Sequence, residues 1–139
     1  MRLTLLLLLL AGCGPSPEEQ EDLGRDLASQ YSTSICRFYS DEVCIENQTT
    51  NCGAALSFET AGDCRTFFLW AFAACDDEVY TALWENEDLV VDCAAELDAV
   101  DCAAEPLCSE DGTALVESGA CGELDELLQG YCDSGDTGA

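Results

Sequence analysis

The chain has 139 residues, enough for one domain, with 48% of them hydrophobic and a formal net charge of −25 from 29 acidic against four basic residues. It contains no Lys and no His, which excludes a basic nucleic-acid surface, Ser-His or Cys-His nucleophiles and lysine chemistry. An anionic membrane surface would repel such a domain, whereas cationic proteins, divalent cations or high salt suit it. The hydrophobic share exceeds that of a disordered acidic chain, so this one is expected to fold against its own repulsion. Eleven cysteines, about 8% of the sequence, mark a disulfide scaffold made in an oxidising compartment.

Met1-Arg2 and the apolar run up to Leu10 form a minimal signal-peptide start. The run is well short of the roughly 20 residues that span a bilayer. Leu10-Ala11-Gly12-Cys13 resembles the lipobox that ends the signal peptide of bacterial lipoproteins. That resemblance covers residues 1–13 and implies cleavage before Cys13, acylation of Cys13 and a membrane partner reached through the lipid. In the enterobacterial form of the family, Gly14 rather than Asp at the next position implies the outer membrane. The alternative is an ordinary secretory signal cleaved after Gly12 or Gly14. Cysteine parity fits a separate role for Cys13, since ten cysteines remain without it. The organisation expected is a signal peptide over 1–12, a lipidated tether over 13–17, a helical domain over 18–132 and a disordered tail over 133–139.

Ser16 as N-cap, Pro17 at N1 and Glu19 at N3 predict a helix start. Leu23, Leu27, Tyr31, Ile35 and Phe38 or Tyr39 give it an apolar stripe, with Gly24 and Ser32-Thr33-Ser34 as weak points and Cys36 as an anchor. Residues 41–45 read as a helical turn carrying Cys44, and 47–53 as a polar loop carrying Cys52. The glycosylation sequon Asn47-Gln48-Thr49 in that loop is irrelevant to a bacterial lipoprotein. Residues 54–60 read as a further turn, after which Gly62 breaks the chain and Asp63 caps a helix from Cys64 to Cys75. From Phe67 to Ala74 that helix has no polar side chain, which predicts burial at the centre of the core. Its two cysteines, eleven residues apart, share one face.

Asp76-Asp77-Glu78 reads as the next start, with Val79, Tyr80, Leu83 and Trp84 on its apolar face. Asn86 is expected to cap a helix with the seam Val90, Cys93, Leu97, Val100 and Ala104, ended by Pro106. Residues 109–119 are irregular, and 122–129 form a last helix with Leu124, Leu127 and Leu128 and Gly130 as C-cap. Nothing alternates like a strand for long. The expected fold is all-α, a small disulfide-stapled bundle of five or six helices.

Cys36, Cys44, Cys52, Cys64, Cys75, Cys93, Cys102, Cys108, Cys121 and Cys132 are the expected disulfide set. Ten cysteines admit about 945 pairings, so spacing alone does not fix the connectivity. One geometry pairs Cys64 and Cys75 with Cys93 and Cys102 as a twice-stapled hairpin, although Cys102 is half a turn out of phase with Cys93. Structural zinc is disfavoured by the absence of His and of any Cys-x-x-Cys.

No spacing singles out a catalytic carboxylate pair among so many acids. Calcium takes oxygen ligands, and Asp76, Asp77, Glu78, Glu85, Glu87 and Asp88, with Glu110-Asp111-Gly112, are its candidate ligands, though none forms an EF-hand loop. Solvated charge at helix starts explains the first six well without any bound ion. Residues 92–108 are similar in style to small cysteine-rich, acidic lipoproteins of myxobacteria and their relatives, which implies an envelope location and no particular activity. The expected function is that of a non-enzymatic, lipid-anchored envelope module for binding or structure. Its partners would be cationic proteins or divalent cations rather than nucleic acid, with no cofactor other than calcium.

Overall fold

A computed structural model describes residues 14–53, 56–108, 114 and 118–132. The signal segment, Cys13, the 110–112 cluster and the 133–139 tail lie outside these. The described residues form six helices: α1 Pro17–Ser40, α2 Glu42–Cys52, α3 Ala61–Ala73, α4 Glu78–Glu85, α5 Glu87–Asp98 and α6 Gly119–Cys132. Their only β pairing is a single bridge between Cys108 and Ala114. The fold is all-α, as the sequence leads one to expect.

The start of α1 follows its sequence signature: Ser16 Oγ accepts from the Glu19 N–H at 3.2 Å, with Pro17 in the first turn. Leu27, Ile35 and Phe38 are buried as the stripe requires, but Leu23 is exposed and the glycine beside it faces inward. Gly24, Ala28 and Ser32, four residues apart, form a buried ridge of small side chains. The Ser32 hydroxyl is satisfied by donating to the Ala28 carbonyl at 2.7 Å. Against this ridge α4 packs so closely that a Cβ on Gly24 would stand 1.9 Å from the Tyr80 carbonyl oxygen. Gly24 is therefore a packing requirement rather than a weak point.

The polar loop expected at 47–53 is helix. Asp41 caps α2 by accepting from the Cys44 N–H at 3.1 Å, and Gly53, at φ 80°, closes it. Its polar side chains hold the structure together. Asn47 Nδ2 donates to the carbonyls of Cys102 at 2.7 Å and Glu105 at 2.6 Å, while its Oδ1 accepts from the Leu107 N–H at 2.9 Å. The nitrogen that a glycan would need is thus committed twice over. Gln48 Nε2 donates to the Phe38 carbonyl at 2.6 Å, tying α2 back to α1.

Residues 56–60 are not helical; Phe58 N–H instead donates to the Tyr39 carbonyl at 2.7 Å. The cap of α3 is Thr60, whose hydroxyl accepts from the Asp63 N–H at 3.1 Å, so Gly62 lies within the helix. In α5 the seam Val90, Cys93, Leu97 and Val100 is buried, but the helix stops at Asp98 and leaves Ala104 exposed. Arg37 explains the early stop: its guanidinium donates to the Leu97 carbonyl and, at 2.7 Å, to the Val100 carbonyl, satisfying groups a longer helix would have used. Asn86 makes no side-chain cap to α5 and donates instead to the Ala82 carbonyl at 2.8 Å. In α6 the helix runs through Gly130 to Cys132, because Tyr131 and Cys132 are held from outside: Asp76 N–H donates to the Tyr131 carbonyl at 3.0 Å.

Five bridges join the ten cysteines: Cys36–Cys64, Cys44–Cys102, Cys52–Cys108, Cys75–Cys132 and Cys93–Cys121. The hairpin of Cys64 and Cys75 with Cys93 and Cys102 does not form. Cys102 lies beyond the end of α5, so it faces α2, while Cys93 faces α6. The shared face of Cys64 and Cys75 does tie α3 at both ends, to α1 and α6 respectively. The bridges span 28 to 58 residues, for which restriction of the unfolded chain gives about 4 kcal/mol each.

Two predictions follow from this packing. Gly24→Ala should destabilise by about 3 kcal/mol, because the obstacle is backbone, whereas Gly130→Ala, with nothing within 4 Å, should be neutral or stabilise by up to about 1 kcal/mol. Denaturant midpoints measured with the disulfides intact test both. Unreduced proteolysis and mass spectrometry should recover the five pairs and no alkylatable thiol among the ten cysteines; two or more free thiols would contradict the scaffold.

Candidate functional site

Helix α3 was expected to be hidden all round, and it is not. Its inward stripe is Cys64, Phe68, Ala71, Phe72 and, just past its end, Cys75, of which Cys64 and Phe72 are buried. The opposite side faces solvent although it is apolar: Trp70 is 70% exposed, Phe67 44% and Leu69 37%. The reason lies in α1. Its small-residue ridge is filled by α4, and α3 packs beside Tyr31, Cys36 and Tyr39 at the edge of the bundle.

Aromatic contacts fix this face. Phe72 meets Tyr31 edge-on with ring centres 6.1 Å apart, and Phe68 stacks on Tyr39 at 5.9 Å with planes 10° apart. Phe67 stands perpendicular to Phe68 at 5.5 Å and touches Phe58 at 5.3 Å. The inner rings thus support the outer ones, so the exposed face is backed by packed side chains.

Between α3 and α6 runs a groove of about 370 Å³, lined by Tyr31, Phe68, Trp70, Phe72, Leu128 and Asp125 together with the Cys75–Cys132 bridge. Its volume falls in the range of ligand-binding clefts. Burial raises the Tyr31 pKa, and the neighbouring Tyr39 and the Asp125 carboxylate raise it further, so the phenol stays neutral and able to donate. Asp125 itself is exposed at the groove wall.

A second hollow of about 410 Å³ lies beside Arg37, Asp41, Val43, Val100, Asp101 and the Cys44–Cys102 bridge. Its one cation, Arg37, is committed to capping α5, and the buried Arg37 Nε has no hydrogen-bond partner among the described residues. Arg25 is likewise engaged, with Glu21 at 2.5 Å and over the Tyr80 ring at 4.2 Å.

The calcium candidates do not form a site together. Asp76, Asp77 and Glu78 precede and open α4, Glu85 ends it, and Glu87 and Asp88 open α5; all six are exposed. Among the described residues no three His, Cys, Asp or Glu side chains converge as a bound cation would require. No described helix is long and apolar enough to cross a membrane. Sequence reasoning recognised the aromatics of α3 but assigned them to the core; the small residues of α1, which leave α3 at the edge, were the signal that could have corrected this. Comparison of the chain with protein-family models, curated proteins and solved structures finds no match.

The state of Tyr31 leads to a pH prediction. Its folded pKa is raised, so above about pH 10 the unfolded chain releases the phenolic proton while the folded one keeps it. The folded state then binds more protons, and stability falls as pH rises, by up to about 1.4 kcal/mol per pH unit from this group. Tyr31→Phe should flatten that alkaline limb and leave the midpoint at pH 7 little changed; thermal melts between about pH 8 and 11 are the check.

Proposed function

We propose that this chain is a lipid-anchored protein of a bacterial cell envelope that acts without catalysis, as a binding module presenting the aromatic face and groove of α3. The observation that carries the binding reading is Trp70, 70% exposed on a helix fixed at both ends by disulfides. Large exposed apolar patches on a folded domain mark interaction sites, and aromatic anchors dominate binding energy where they occur. Fixing α3 at both ends lowers the entropy lost when a partner docks.

The envelope location is supported by the lipobox-like Leu10-Ala11-Gly12-Cys13 and by the five bridges, which suit an oxidising compartment outside the cytoplasm. Helix α1 begins at Pro17, four residues after Cys13, so a lipid on that cysteine would hold the domain close to the bilayer. Gly14 favours the outer membrane over the inner one. The absence of His and Lys from the sequence favours binding over acid–base or nucleophilic chemistry.

Fatty-acid labelling in a bacterial host tests the anchor. Label should appear on the mature protein and vanish in Cys13→Ala, with the protein shifting from the membrane to the soluble fraction. Label that persists in that variant would refute the lipid anchor.

A further inference from the structure

We infer that the α3–α6 groove, together with the outer face of α3, is the docking site for a cationic amphipathic helix of a partner protein. This rests on the binding-module reading above and specifies its partner. Two features lead to it, the extent of the apolar surface and the charge around it. The groove is continuous with the exposed patch, because Trp70 lines the one and belongs to the other, and Phe68 in the groove wall touches Phe67 outside it. A small apolar molecule filling about 370 Å³ would leave Phe67 and Leu69 in water; only a longer surface covers both groove and patch. An amphipathic helix does so with anchors at every third or fourth residue.

Charge selects the partner. Asp125 stands in the groove wall, and α6 carries Glu123, Asp125 and Glu126 with no basic residue. Asp76 and Asp77 follow Cys75 at the end of the groove closed by the Cys75–Cys132 bridge. Arg65, on the first half of α3, is the one positive charge on that helix. A helix with an apolar stripe flanked by Lys or Arg meets apolar wall and acidic rim together. Other occupants fit poorly: a second copy brings another net charge of −25, and the 133–139 segment adds only the acids Asp133 and Asp136. Anionic lipid is repelled for the same reason.

The test uses the full chain with its disulfides intact, carrying Trp84→Phe so that Trp70 is the sole tryptophan reporter. The probes are synthetic peptides of about 18 residues, five helical turns, made of leucine and lysine with the leucines on one face; a scrambled version; and a leucine–glutamate version. The expected result is a saturable blue shift of Trp70 emission with the leucine–lysine helix, roughly tenfold weaker affinity for the scrambled peptide, and none for the acidic one. Isothermal titration should show Trp70→Ala losing at least about tenfold in affinity, and Asp125→Asn losing less while reducing the salt dependence. Because both side chains are exposed, unchanged melting midpoints will show that the variants fold. The inference is overturned if Trp70→Ala binds the helix as well as the parent, if the scrambled peptide binds equally, or if no peptide binds. Trp70-dependent dimerisation, or Trp70-dependent binding to phosphatidylglycerol vesicles, would also overturn it by naming another occupant. None of these results bears on the lipid anchor, which fatty-acid labelling decides separately.

Discussion

The fold depends on one close backbone contact, between Gly24 of α1 and the Tyr80 carbonyl of α4. Helix α4 is the only described helix without a cysteine, and no bridge ties either of its ends directly. What holds it is shape: Gly24 lets the α4 backbone at Tyr80 come up against α1, and Val79, Tyr80 and Leu83 of α4 are buried or nearly so. The remaining helices can tolerate looser packing because they are cross-linked. In a chain of net charge −25 this division matters, since every helix carries carboxylates that push the bundle apart. Cross-links resist that push whatever the salt, whereas the Gly24 contact resists it only while the helices stay in register.

That contact also decides where α3 goes. The closest seat on α1 is occupied by α4, so the most apolar helix of the chain is left at the edge, against Tyr31 and Tyr39. Its inner stripe supplies the buried packing, and the outer aromatics lie outside the buried core. Trp70, mostly exposed, could be polar at little cost to the fold, and its exposure in water is unfavourable. A binding role accounts for it where a core role does not. The two bridges at the ends of α3 fit the same reading, since they hold its apolar face in one orientation.

Much of the architecture was legible in the sequence because it depends on local signals. The Ser16 cap, the Pro17 start and the Val90–Cys93–Leu97–Val100 seam are written in spacings of three and four residues. The features that were not legible depend on partners distant in sequence. Asn47 and Gln48 look like loop residues until Cys102, Glu105, Leu107 and Phe38 supply the groups they bond, and then they become one side of a helix. The end of α5 is set by Arg37, sixty residues away from Leu97, and not by Pro106. Gly24 read as a defect because its value lies entirely in what approaches it. Similarly, an all-apolar helix implies burial only if the core has room for it, and composition along one helix carries no information about how its neighbours compete.

The acidic coat and the aromatic face are best understood as working at different distances. Exposed charges act out to roughly 8 Å at physiological ionic strength, so the carboxylates of α6 and of the Asp76–Asp77 turn bias which molecules approach the groove. They do little to hold a partner, because pairs at a wet rim are worth about 1 kcal/mol or less. Retention falls to contacts that exclude water, and around this groove those are Trp70, Phe68, Phe72 and Leu128. Raising salt should therefore slow association more than it speeds release, whereas removing the indole should do the reverse. On the reading proposed above, selection of the partner lies in the acidic charge around the groove, and retention in the exposed aromatic face of α3.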